Sequence, residues 1–167
     1  MGRQFWPMDP RPHEVFIDDI AHALSMLCRF GGHCLRFYSV AEHSVLLARV
    51  ARPEHKLWAL LHDASEAYLV DVPRPIKPAL HGYKDAENKI TRAIAVRFNL
   101  HLGVPEAVKA LDRAILLDER EQNMTPTSEA WSIAEDPLGV ALQFWDPERA
   151  RREFLSAFEL LNGDRRA

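Results

Sequence analysis

Apolar residues return at intervals of three and four through most of this chain, and that period decides its fold class. Ile17, Ile20, Ala21, Leu24, Leu27 and Cys28 follow it, then Val40, Val45, Leu46, Ala48 and Val50, then Leu57, Leu60, Leu61 and Ala64. A 3.6-residue repeat gathers such positions on one side of an α-helix, whereas a half-buried strand alternates. Only Leu35 to Val40, rich in aromatic and branched side chains, has some strand character. The pattern predicts an all-α domain, and 167 residues with 47% apolar composition suffice for one hydrophobic core.

Caps and breakers set the expected boundaries. Gly31-Gly32 is expected to end the first helix, with irregular chain to Tyr38. Ser39 and Glu42 form a Ser-x-x-Glu capping box that opens the next helix. Pro53 starts another at its first turn, while Pro73, Pro75 and Pro78 break any helix across residues 70–80. Helices are predicted from Tyr83 to Phe98 and from Pro105 to Gln122, and residues 123–146 read ambiguously. Asp146-Pro147 opens a last helix with Phe154, Leu155, Phe158 and Leu161 facing inward, and Gly163 to Ala167 should fray.

Charge and composition exclude several function classes. Twenty-one Lys and Arg against 24 Asp and Glu leave a net charge of -3, so no general attraction to a nucleic-acid polymer or an anionic bilayer is expected. Apolar runs such as Val45–Ala48 and Leu57–Leu61 are too short for a membrane span, and Met1 to Pro12 lacks the apolar segment of a secretory signal. A cytoplasmic address is the expectation, with Cys28 and Cys34 as free thiols. A zinc site from Cys28, His33 and Cys34 lacks a fourth ligand and the usual spacing.

With no repeat and no low-complexity segment, function must lie in polar residues on apolar faces. His62 and Asp63 follow Leu57-Trp58-Ala59-Leu60-Leu61, so a helix that buries its leucines turns at least one of them inward. Glu66, four residues from His62 and three from Asp63, shares their face. His43 lies one helix earlier, inside the first turn after Ser39. A satisfied His62-Asp63 pair, a solvated Glu66 and a structural His43 are the bland alternatives.

Taken together, His43 within Ser39-Val40-Ala41-Glu42-His43-Ser44, the adjacent pair His62-Asp63, and Asp112 within Leu111-Asp112-Arg113-Ala114 resemble the HD superfamily of metal-dependent phosphohydrolases. Leu61-His62-Asp63-Ala64-Ser65-Glu66 followed by Asp71-Val72-Pro73-Arg74-Pro75-Ile76-Lys77 resembles its 5′-nucleotidase branch, the YfbR-like proteins. The likeness covers roughly residues 16–122. It implies an HD-type helical bundle over residues 1–167, with 123–167 as a C-terminal helical extension.

The resemblance further implies one divalent ion held by His43, His62, Asp63 and Asp112. Mixed nitrogen and oxygen donors of this kind suit manganese, cobalt, nickel, zinc, iron or magnesium without selecting one. Glu66 would move a proton or orient the attacking water, and Asp71 would serve beside it at the leaving group. Asp112 has a rival in Asp118, which spacing alone slightly favours, although Glu119, Arg120 and Glu121 read as a solvated helix end. The family pattern selects Asp112 and places a further acidic residue along the same helix. Arg29-Phe30 resembles the branch's Arg-Trp substrate pair, with Trp replaced by Phe. Arg29 and Lys77 would then bind phosphate, or else both are surface charges. His33 and Tyr38 are further residues that could reach a base.

The expected substrate is a nucleotide, foremost a 5′-deoxynucleoside monophosphate split into nucleoside and phosphate. Competing readings are a deoxynucleoside triphosphate triphosphohydrolase releasing tripolyphosphate, a hydrolase of a signalling nucleotide, a metal-loaded nucleotide-binding module without turnover, and a purely structural bundle. The resembled nucleotidases form homodimers. Trp131, Leu138, Val140, Leu142, Phe144 and Trp145 could supply such an interface or complete the core.

Overall fold

The backbone is helical over most of the stretches that repeat with helical period. In the computed structural model the helices are Ile17–Met26 (α1), Val40–Val50 (α2), Lys56–Leu61 (α3), the single turn Glu66–Leu69 (α4), Tyr83–Arg97 (α5), Glu106–Asn123 (α6) and Pro147–Gly163 (α7). The structure describes residues 2–73, 75–128 and 131–163; Arg74 of the proline-rich string and residues 164–167, expected to fray, lie outside them. No helix of the described residues is long and apolar enough to cross a membrane.

The core forms around α2, which packs on α1, α3 and α7. Every residue from Val40 to Ala48 is buried, so over these residues the helix has no solvent face, and Glu42 and His43 on it lie inside the protein. Ile20 and Leu24 of α1, Leu60 and Leu61 of α3, and Phe154 and Phe158 of α7 close around it. Ser39 caps α2 by accepting the amide of Glu42 at 3.1 Å. The expected capping box is only half made. The Glu42 carboxylate turns away from Ser39 and accepts the amides of Gln143, Phe144 and Trp145 at 2.6 to 2.9 Å.

Two other expectations are corrected. Gly31-Gly32 does not end α1, which stops at Met26 because the next backbone groups pair with residues leading into α2: the Arg29 amide donates to the Tyr38 carbonyl and the Val40 amide to the Leu27 carbonyl. Instead, Phe30, Gly31 and Gly32 form a left-handed turn, a conformation glycine takes at little cost. Leu35–Val40 forms no strand, in keeping with the all-α expectation; an antiparallel bridge joins Cys28 and Ser39. Asp118 and Glu119 are not a solvated helix end, since both are buried.

Residues 131–145 are irregular in their described backbone but firmly tied. Asp118 accepts the amides of Leu138, Gly139 and Val140, and Gln122 bonds the Leu142 amide and the Val140 carbonyl. Leu142 and Trp145 are buried and Leu138, Val140 and Phe144 pack on the core, so these apolar residues complete it. Asp146 then caps α7 through the Arg149 amide at 2.8 Å.

Candidate metal centre

Three elements meet at one point. α2 delivers His43 from its first turns, the end of α3 delivers His62 and Asp63, and α6 delivers Asp112. One donor atom from each lies within 4.8 Å of all the others, a group that could hold a metal ion. His43 Nε2 is 3.2 Å from His62 Nε2, 3.3 Å from Asp112 Oδ1 and 3.6 Å from Asp63 Oδ2. His62 Nε2 is 3.2 Å from Asp63 Oδ2 and 3.7 Å from Asp112 Oδ1. An ion about 2.1 Å from each donor would set neighbouring donors roughly 3.0 to 3.4 Å apart at octahedral or tetrahedral angles. The spacing fits.

The ring tautomers point the same way. His43 Nδ1 lies 2.7 Å from Glu119 Oε1, and His62 Nδ1 lies 2.7 Å from the Ala59 carbonyl oxygen. Both partners only accept, so each Nδ1 carries the hydrogen and each neutral ring turns an Nε2 lone pair toward the other. Two lone pairs and two carboxylate oxygens converging on one point require a positive charge there. Without a metal, protons supply it. Burial opposes a charged His62, but Asp63 and Asp112 outweigh it and hold the ring's pKa well above the ordinary value. Burial and Arg29 likewise oppose a charged His43, yet Glu119 and Asp112 raise its pKa. In turn, the imidazoles overcome burial to hold the Asp63 carboxyl down at about 2 and that of Asp112 well below the usual range.

Glu119, which the charge-run reading set aside as solvated, is fully buried and bridges His43 to Arg29, whose Nη2 donates to Oε2 at 3.2 Å. Seven residues separate it from Asp112, two helical turns, so both occupy one face of α6. That spacing was available in the sequence. Asp118, the rival ligand, points instead to the 138–140 amides, which settles the geometric choice for Asp112.

The remaining predicted residues surround the same point. Arg29 is buried with Nη1 at 3.6 Å from Asp63, so it is no surface charge. Its guanidinium sits 5.3 Å over the half-buried Phe30 ring, which tilts against Trp131 at 6.1 Å. Glu66 is buried, its Oε2 has no partner, and Lys77 Nζ lies 3.6 Å from Oε1. Burial, then Asp63 and Asp71, push the Glu66 carboxyl well above the usual range. Asp71 is half-buried; burial raises its pKa against the pull of Arg29. It follows Val70, whose backbone at φ 61° and ψ 163° is costly for a branched residue, about 1–3 kcal/mol, and redirects the chain after α4. His33 is exposed, while Tyr38 is fully buried against Phe144 and has no face open to a ligand. Cys28 and Cys34 are free thiols 3.7 Å apart.

A cleft of about 660 Å³ opens from His62, Asp63 and Asp112 toward α5. Comparison with known proteins adds relatives but no activity. No family model matches the chain. It is 37% identical over 134 residues to the uncharacterized protein YfdR of Escherichia coli, covering 80% of this chain and 75% of YfdR. It is 34% identical over 181 aligned residues to an uncharacterized protein of Rhodobacter capsulatus, covering 96% of this chain and 92% of that protein.

Proposed function

The chain belongs to the family of YfdR, and for this member of it we propose a metal-dependent phosphohydrolase that acts on nucleotides. The observation that carries the reading is the convergence of four ligand atoms, with tautomers set for a cation, beside a buried carboxyl at Glu66 and an open cleft. His43, His62, Asp63 and Asp112 would hold a divalent ion. When bound, such an ion supplies Lewis acidity toward a phosphoryl oxygen and a lowered pKa for water.

The chain's own residues do the rest. Arg29, fixed between Glu119 and Asp63, keeps its buried Nε without a partner, a donor suited to a phosphate oxygen. Lys77 places a second positive charge beside Glu66. Glu66, whose burial raises its carboxyl well above the usual range, handles a proton of the attacking water, and Asp71 returns one to the leaving oxygen. Phe30 and Trp131 offer apolar rings on the Arg29 side, where a base or sugar can rest.

The simplest substrate for this set is a 5′-deoxynucleoside monophosphate, cleaved to nucleoside and phosphate by a cytoplasmic enzyme. A binding module without turnover has no use for an unpartnered, buried carboxylate oxygen on Glu66. The test is a panel of nucleoside mono-, di- and triphosphates with several divalent ions, products resolved by chromatography. Metal-dependent release of nucleoside is expected; metal binding with no turnover of any member would refute the reading.

A further inference from the structure

Cys28 and Cys34 stand outside the donor set and enter none of the chemistry proposed above. Their Sγ atoms lie 3.7 Å apart, in contact but unbonded. Each is anchored by its own element. Cys28 sits on the antiparallel bridge to Ser39 at the entry of α2. Cys34 leads into Leu35 and Arg36, which the fully buried Asn123 of α6 holds: its carbonyl accepts the Leu35 amide at 2.9 Å, and its side chain exchanges two hydrogen bonds with the Arg36 backbone at 2.9 and 3.0 Å. The fold itself therefore brings the two sulfurs together.

A disulfide sets its sulfurs about 2.0 Å apart, so closure asks for an approach of about 1.7 Å, within reach of one side-chain rotation. The chain between the thiols turns through Phe30, Gly31 and Gly32, and its two glycines let the backbone follow. Both thiols are half-buried and Gly31 to His33 are exposed, which gives a small reagent access. Cys34 donates its thiol hydrogen to the Arg36 carbonyl at 3.1 Å, and burial, then Cys28, push that thiol up to about 11. A thiol so reluctant to ionise is a poor first nucleophile, which leaves the first attack to Cys28.

We propose that Cys28 and Cys34 form a reversible oxidation site that closes to an intrachain disulfide and restrains the loop carrying Arg29. The oxidant is a small disulfide of the glutathione type. The Cys28 sulfur, as thiolate, bonds to one sulfur of that reagent, whose S–S bond breaks and releases one thiol. The Cys34 sulfur then bonds to the Cys28 sulfur and displaces the second thiol. The chain gives up two electrons and two protons, and one disulfide is reduced to two thiols. The closed ring spans residues 28–34 and contains Arg29 and Phe30. This chemistry is independent of the hydrolase reading.

The test equilibrates the full chain with Mn²⁺, an ion that prefers oxygen donors, in glutathione buffers from fully reduced to fully oxidised. Cys28→Ser and Cys34→Ser variants, shown to be folded by their melting transitions, run beside it. The natural sequence should lose both free thiols and the mass of two hydrogens, and dithiothreitol should restore them. Cys34→Ser should stop at the mixed disulfide and gain the mass of one glutathionyl group. Closure of the seven-residue ring should raise the melting temperature by roughly 5–10 °C and slow amide exchange across residues 29–34, and neither change should appear in the variants. A natural chain that keeps both thiols in fully oxidised buffer, stops at a glutathione adduct, or pairs its cysteines between chains overturns the site. A disulfide that closes yet leaves melting and exchange unchanged overturns the restraint on the Arg29 loop.

Discussion

Replacing Glu119 with Gln tests how the metal ligands are held without touching any of them. The carboxylate is fully buried and accepts from two donors, His43 Nδ1 at 2.7 Å and Arg29 Nη2 at 3.2 Å. A glutamine keeps the shape and one acceptor oxygen but removes the charge, so one donor loses its partner. Breaking a buried ion pair costs roughly 3–5 kcal/mol. Asp63 stays 3.6 Å from Arg29 and retains part of the compensation, which places the loss near the lower end, about 3 kcal/mol. For a domain of this length that lowers the melting temperature by roughly 6–12 °C.

Metal binding should weaken as well, because the His43 ring loses the acceptor that fixes its tautomer and raises its basicity. Loss of such a supporting group typically costs 10- to 100-fold in affinity, about 1.4–2.7 kcal/mol. Affinity is read by competition with a chelator, and stability by thermal melting of the metal-free protein. A Glu119→Gln protein that binds metal within about twofold of the natural sequence and melts within about 2 °C of it would refute the bridging role.

Glu66→Ala should leave metal content unchanged and lower turnover at least 10²-fold, the scale of a positioned acid or base; unchanged turnover removes Glu66 from the chemistry. The pH dependence carries a definite sign. In the metal-free protein His43 and His62 have raised pKa values, so the stability they contribute is present below the unfolded value of about 6.5 and lost as pH rises through the folded values. Asp63, held at about 2, contributes above the unfolded value and loses its contribution as pH falls through about 2. Metal must displace the imidazole protons, so apparent affinity should climb with pH above 6.5 and proton release should appear in calorimetry in buffers of different ionisation enthalpy; affinity flat with pH would contradict this.

Much of this architecture was legible in the sequence because helices answer to local rules. The apolar period, Ser39, Pro105 and Asp146 located α2, α6 and α7 to within a residue or two. Boundaries set by tertiary pairing were not legible. α1 stops early because Leu27 and Arg29 bond to Val40 and Tyr38, well beyond the reach of a helical turn, and nothing local to Met26 announces that. Glu42 looked like a cap partner because Ser-x-x-Glu is a local pattern, but the 143–145 amides offered its carboxylate three bonds inside the core.

The site divides along the same line. His62, Asp63 and Glu66 could be placed together from spacing, since they share less than two turns of chain. Joining them to His43 and Asp112 took the resemblance, because contacts between helices leave no periodic trace. Glu119 was obscured by its neighbours: within Asp118-Glu119-Arg120-Glu121 a buried carboxylate looks like solvated charge, and only its two-turn distance from Asp112 distinguishes it.

The most direct measurement is elemental analysis of the purified chain after equilibration with Mn²⁺ or Zn²⁺ and removal of unbound ion, beside an Asp63→Ala variant shown to be folded by its melting transition. The account predicts a single divalent ion per chain in the natural sequence and its loss from the variant. A natural chain that retains no ion, or a variant that retains as much, would contradict the metal centre on which the proposed chemistry depends.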